Sequence, residues 1–176
     1  MATDDQSTAS PTAASAELGD RITSPVALIG NTVYAVDAGG ILHSMKLPNL
    51  TGATTTDIGA KAVWGPRRVG QRVLLSTGAN QLVCLADDDK RLHWQIDLPH
   101  DDPLAGAPIT LGDDNGGDFI ITSTSGVISR IDADTGEEIA AVELNQPIGS
   151  GAVVHGGQLF VLARDGTLLR APLPSP

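Results

Sequence analysis

The stretch Gly106–Leu144, GAPITLGDDNGGDFIITSTSGVISRIDADTGEEIAAVEL, decides the fold. Ala107-Pro108-Ile109-Thr110-Leu111 reads as a short strand, and the run from Gly112 to Gly117 reads as its turn. Asp118-Phe119-Ile120-Ile121 is an apolar strand that reaches a second turn at Ser125-Gly126. Val127-Ile128-Ser129-Arg130-Ile131 follows as a third strand. The turn Asp132-Ala133-Asp134-Thr135-Gly136 then leads to a more polar strand, Glu138–Leu144. Runs of four to seven residues rich in Ile and Val, punctuated by Gly, Asp and Ser, specify short antiparallel strands joined by tight turns.

The same order recurs along the chain. Ser24–Leu28, Gly65–Val69, Ala107–Leu111 and Gly151–His155 align, and their second positions lie 41, 42 and 44 residues apart. Each is followed by a turn glycine (Gly30, Gly70, Gly117, Gly157) and an apolar strand: Thr32–Val36, Arg72–Leu75, Asp118–Ile121 and Gln158–Leu162. Small-residue turns then lead to third strands at Ile41–Met45, Leu82–Leu85, Val127–Ile131 and Thr167–Arg170. In the second and third repeats a further turn, Asp87-Asp88-Asp89-Lys90 and Asp132–Gly136, opens a half-polar fourth strand, His93–Leu98 and Glu138–Leu144. A period of roughly 40 residues with four short strands per unit is that of propeller blades. The expected fold is all-β: a β-propeller of four four-stranded antiparallel blades with the last one truncated at Leu173, or half of an eight-bladed ring. The approximate blades are 22–62, 63–103, 104–147 and 148–176. Residues 1–21, rich in Ala, Ser, Thr and Asp, read as a disordered linker or tail because they offer too little apolar surface to offset ordering.

Composition narrows the function. Acids outnumber bases 21 to 11, so nucleic acid, which needs clustered Lys and Arg, is not an expected partner. No apolar run approaches a membrane span and the N-terminus lacks the pattern of a signal peptide. That leaves a cytoplasmic protein or one whose secretion signal has been removed. Cys84 lies alone in an apolar strand and reads as buried. His43, His93, His100 and His155 fall at unrelated phases without a zinc spacing. Asp132–Gly136 begins like a calcium loop but places Gly136 at the third ligand position, so turn chemistry explains it better. Asp113–Asp118 reads as an inserted hairpin tip. No nucleophile elbow or phosphate loop is present, and neither catalytic residues nor a cofactor are expected.

The repeat, with proline near its start, paired turn glycines and the Asp132-Ala133-Asp134-Thr135-Gly136-Glu137-Glu138 turn, resembles that of quinoprotein-dehydrogenase-like propellers. The resemblance covers about residues 24–173. That superfamily contains enzymes carrying pyrroloquinoline quinone and cofactor-free relatives, and the resemblance implies the cofactor-free branch. It places the family's blade-docking tryptophan at Trp94 and an equivalent position near Ala140. Because the resembling proteins are mostly extracytoplasmic, it implies a periplasmic or secreted location.

Function is expected to be that of a non-catalytic protein-interaction or assembly scaffold. The alternatives are a fragment of a quinone-dependent dehydrogenase and a cell-surface or carbohydrate-binding module. Propellers resembling this one have more than four blades, so a protein partner or self-association completing the propeller is expected. Arg67 and Arg68 stand where the other repeats place apolar or small inner-strand residues, and are the candidate channel or partner contact because a guanidinium there can hold a carboxylate or phosphate.

Overall fold

In the computed structural model, residues 13–70, 72–86, 92–112 and 117–175 are described. The turn at Asp87–Lys90, the hairpin tip at 113–116 and residues 1–12 of the N-terminal segment lie outside them. Blade one comprises β1 (Ala27–Ile29), β2 (Thr32–Val36), β3 (Ile41–Lys46) and β4 (Thr51–Asp57). Blade two comprises β5 (Ala62–Val69), β6 (Arg72–Thr77), β7 (Gln81–Ala86) and β8 (Leu92–Asp97). Blade three comprises β9 (Ile109–Thr110), β10 (Phe119–Thr122), β11 (Val127–Ile131) and β12 (Glu138–Glu143). Among the described residues, blade four has β13 (Val153–His155), β14 (Gln158–Leu162) and β15 (Leu168–Pro172) only. Each is an antiparallel meander in chain order.

Strand β4 has no counterpart in the sequence reading. Its residues, TGATTTD, are small or polar and almost wholly exposed, so they carry no apolar alternation. Pairing with β3 and the Ser44–Thr54 hydroxyl contact of 2.6 Å hold it in place.

Register assigns every side chain a face, because directly paired residues project to the same side of a sheet. Tyr34, Val36 and Leu42 of blade one meet Val73, Leu75, Val83 and Leu85 of blade two in one buried cluster. Leu74, Leu82 and Cys84 of blade two meet Phe119, Ile121 and Ile131 of blade three. Ile120 and Ile128 of blade three meet Leu159, Val161 and Ala171 of blade four. The sheets thus stack in series through three apolar cores, and none of these clusters joins blade four to blade one. Cys84 lies inside the second core, where burial pushes its thiol up to about 12.

The first strand of each blade is lengthened by a lead-in bridge to the end of the second strand: Ile22 to Asp37, Leu104 to Ser123, Ile148 to Ala163. Blade two fuses both parts into β5, whose register shifts at Ala62/Trp64 and Trp64/Arg67. In blades one to three the repeated proline favours this break, since it has no N–H to give the ladder, whereas blade four breaks at the same place with Ala152.

Polar side chains close the β2–β3 hairpin and its equivalents. The Asp37 carboxylate accepts the amides of Gly39 and Ile41 at 2.9 Å and contacts His43 Nε2 at 2.8 Å. The His43 bond first, then the amide bonds, hold its carboxyl below the usual range despite burial. Thr77 accepts the amide of Ala79 and Ser123 that of Val127 at the corresponding turns. Asp102 fastens the lead-in of blade three to the β10–β11 turn, accepting from the Thr124 hydroxyl at 2.7 Å and the Ser125 amide at 2.8 Å. Burial opposes its ionisation, but hydrogen bonds from Ser125 and Thr124 outweigh it and hold the carboxyl near about 2.

A carboxyl whose folded-state value lies below its unfolded value of about 3.9 stabilises the fold above that value, and the contribution fades as pH falls toward the folded value. The D102A variant should therefore melt below the parent at neutral pH, with the gap narrowing on acidification through the range from the unfolded to the folded value. Thermal melts followed by circular dichroism across that range check this; a gap that stays constant or widens in acid contradicts it.

Candidate functional site

Arg67 and Arg68 follow a bulge that only glycine permits. Gly65 has φ +76°, and a Cβ there would come within 2.6 Å of the Leu74 carbonyl oxygen. Beyond it, Arg67 pairs with Leu74 and Arg68 with Val73. The two guanidinium side chains therefore leave opposite faces of β5, Arg67 on the side of blade three and Arg68 on that of blade one. Both are exposed. Arg68 Nε donates to the Gly70 carbonyl at 2.9 Å. Among the described residues neither makes an ion pair, in contrast to Arg72 with Asp134 and Arg130 with Asp118, both at 2.6 Å.

Beside them opens a cleft of about 550 Å³ between the first strands of blades one and two. Exposed Val26, Leu28 and Val63 and half-buried Trp64 give it apolar walls, and the arginines lie at its rim. Apolar walls with a few convergent polar groups suit a ligand or side chains with an anionic end. The sequence pointed to the arginines but not to the cleft. Adjacency within a strand already divides the pair between two faces, whereas which arginine faces which blade is set by the bulge at Gly65, a tertiary feature.

Trp94 stands apart from this cleft. It lies on β8, the outermost strand of blade two, opposite Cys84. Its ring tilts against Phe119 of blade three, with centroids 6.4 Å apart, and Nε1 donates to the Ala133 carbonyl at 3.0 Å. The β11–β12 turn wraps against it so closely that a Cβ on Gly136 would sit 2.9 Å from the indole. In that turn Asp132 Oδ1 accepts the amides of Asp134 and Thr135 at 2.8 Å, and these bonds hold its carboxyl below the usual range. The carboxylate thus completes the turn. Blade one has Thr54 at the position of Trp94 and blade three has Ala140.

The remaining sequence candidates are dispersed. His43 is paired with buried Asp37, and His100 lies 3.6 Å from Glu138. Among the described residues no three His, Cys, Asp or Glu side chains gather as a metal site.

Solved structures with the same arrangement of sheets define the class. BamB from Moraxella catarrhalis superposes with a TM-score of 0.60 at 16% identity, over 86% of this chain and 43% of its own. BBS1N, solved in complex with ARL6DN, gives 0.60 at 15% over 81% and 47%. The computationally designed Ika4 protein gives 0.64 at 14% over 90% and 94%. No family model matches the chain, and no curated sequence is similar to it. The chain has a β-propeller fold, in which the described residues form four antiparallel blades, the last with three strands. It spans less than half the length of BamB and of BBS1N.

Trp94 tests the inter-blade contact directly. W94A should lose about 3 to 5 kcal/mol, the range for removing a large buried aromatic. W94F keeps a ring against Phe119 and should lose less, with about 1 kcal/mol from the missing bond to Ala133. Urea denaturation followed by circular dichroism measures both; equal losses in the two variants contradict this division.

Proposed function

We propose that this chain is a non-catalytic interaction or assembly scaffold, and that a protein partner sets acidic side chains against Arg67 and Arg68, one on each face of β5, beside the cleft. The carrying observation is the pair of exposed guanidinium groups, without an ion-pair partner among the described residues, in a chain of net charge −10. Such groups are the natural counterpart of an acidic side chain from another molecule, and the apolar walls beside them supply the buried contact that an ion pair at a rim lacks. BBS1N, which shares the fold, is itself solved with a second protein bound. The resemblance to cofactor-free quinoprotein-like propellers supports the same reading and favours a location outside the cytoplasm. Among the described residues no helix is long and apolar enough to cross a membrane.

Two measurements test it. A protein retained from an extract of the source cells by the immobilised parent chain should be lost from R67E/R68E while the variant's melting profile is unchanged. Incubation with pyrroloquinoline quinone and calcium should give no dye reduction. Retention that is indifferent to the charge reversal removes the role of the arginines, and quinone-dependent dye reduction overturns the non-catalytic reading.

A further inference from the structure

Blade four presents to solvent the side chains that blades one to three bury against the blade after them. Register aligns Tyr34, Leu74, Ile120 and Phe160; it aligns Leu42, Leu82, Ile128 and Leu168 on the neighbouring strand. At the last of these positions Leu42 is 2% exposed and Leu82 and Ile128 are 0%, whereas Leu168 is 69% exposed. Leu162 is 44% exposed where Val36 is 0%, and Val153 of β13 adds another 63% on the same face. An exposed apolar patch of this composition marks an interaction site. Because Leu168 remains open, this chain's own blade one does not cover it.

We infer that the face of blade four formed by Val153, Phe160, Leu162 and Leu168 packs on blade one of a second copy of this chain, and that the reciprocal contact closes the two copies into a ring. This deepens the assembly reading above by naming the partner. Three observations select a second copy. Blade one carries the complementary set: Val33, Ala35 and Met45 stand where the register places Val73, Leu75 and Leu85, Phe119, Ile121 and Ile131, or Leu159, Val161 and Ala171, the residues that receive a preceding blade. Of these, Val33 is partly exposed, while Ala35 and Met45 are 2% and 4% exposed within the single chain. Length agrees as well, since the four blades cover 43% and 47% of the BamB and BBS1N chains, so two copies approximate one such chain.

Charge is the third. Residues 148–176 hold only Arg164, Asp165 and Arg170, and residues 22–62 balance Asp37 and Asp57 with Lys46 and Lys61. Residues 104–147 hold eight acids against the single Arg130. Charge is thus sparse at the two ends that would meet, with Arg170, opposite Phe160, on the blade-four face itself. A head-to-tail contact gives a finite assembly only when its rotation closes; otherwise it propagates as a filament.

Light scattering after size exclusion, with the full chain at micromolar concentration, should report twice the chain mass of 18.1 kDa. L162E/L168E, altered at exposed positions, should run as a folded monomer, and V33E at the other end should do the same. Where V33E melts below the measuring temperature, V33T replaces it. R67E/R68E should keep the doubled mass, so failure of the carboxylate contact and failure of self-association are separate results. A parent chain that stays monomeric, or one that grows into open-ended polymers, overturns the inference. So does a dimer that the L162E/L168E change leaves intact, or one that the Val33 changes leave intact, since the latter would join two copies through blade four alone.

Discussion

Each blade of this protein is a small sheet with apolar side chains on both faces, and a sheet of that kind is stable only when packed against a neighbour. Everything else follows from this constraint. In blade two, Val73, Leu75, Val83 and Leu85 face one way and Leu74, Leu82 and Cys84 the other, and all are fully buried. Neither set has enough area to stabilise the sheet alone, because a handful of buried aliphatic side chains at about 25 cal/mol per Å² does not offset the ordering of some forty residues. Stability is therefore a property of contacts between neighbours, as in other repeat architectures. With so few aromatic residues, the contact relies on Leu, Ile and Val interdigitating. The Trp94–Phe119 pair adds an aromatic contact at one interface, where the indole also reaches the Ala133 carbonyl and Arg72 pairs with Asp134.

Turn chemistry answers a second need. Consecutive strands within a blade must reverse tightly, and the side chain ending the second strand organises that reversal. Asp37, Thr77 and Ser123 do this with three different groups that share one property, an oxygen able to accept amides of the following turn. Blade four has Ala163 at this position and uses Asp165 two residues later, which accepts the amide of Thr167 at 2.9 Å. The repeat therefore conserves a hydrogen-bonding function within itself while varying the residue that carries it.

This difference between residue and role governs what the sequence could disclose. The second and third strands of all four blades were legible because apolar runs alternate with glycine turns at a regular spacing. Strand β4 was not, because an exposed edge strand needs only backbone pairing and its Thr residues carry no burial signal. Arg67 and Arg68 stood out as charges in an apolar position, and strand alternation alone divides them between two faces, yet which of them faces blade one depends on the bulge at Gly65. The Val26–Val63 cleft beside them arises from two strands about forty residues apart and has no local signature. The exposure of Leu168 was equally hidden: in sequence it is the equivalent of Leu42 and Leu82, and only the stacking order shows that it has no following blade.

That equivalence also bears on how the surface is divided. A protein selected only for solubility as four isolated blades would be expected to place charge on its terminal face, as edge strands and capping repeats commonly do. Here the acids gather in blade three and the terminal face keeps Phe160, Leu162 and Leu168 in the pattern of an interior blade. An interior pattern at an end contributes nothing to the stability of the chain by itself and raises the risk of indiscriminate association. Its retention is explained when the face is covered in the working assembly. The arginines at the β5 cleft lie two blades away from this terminal face, so the face can be covered while the arginines stay available to an acidic partner.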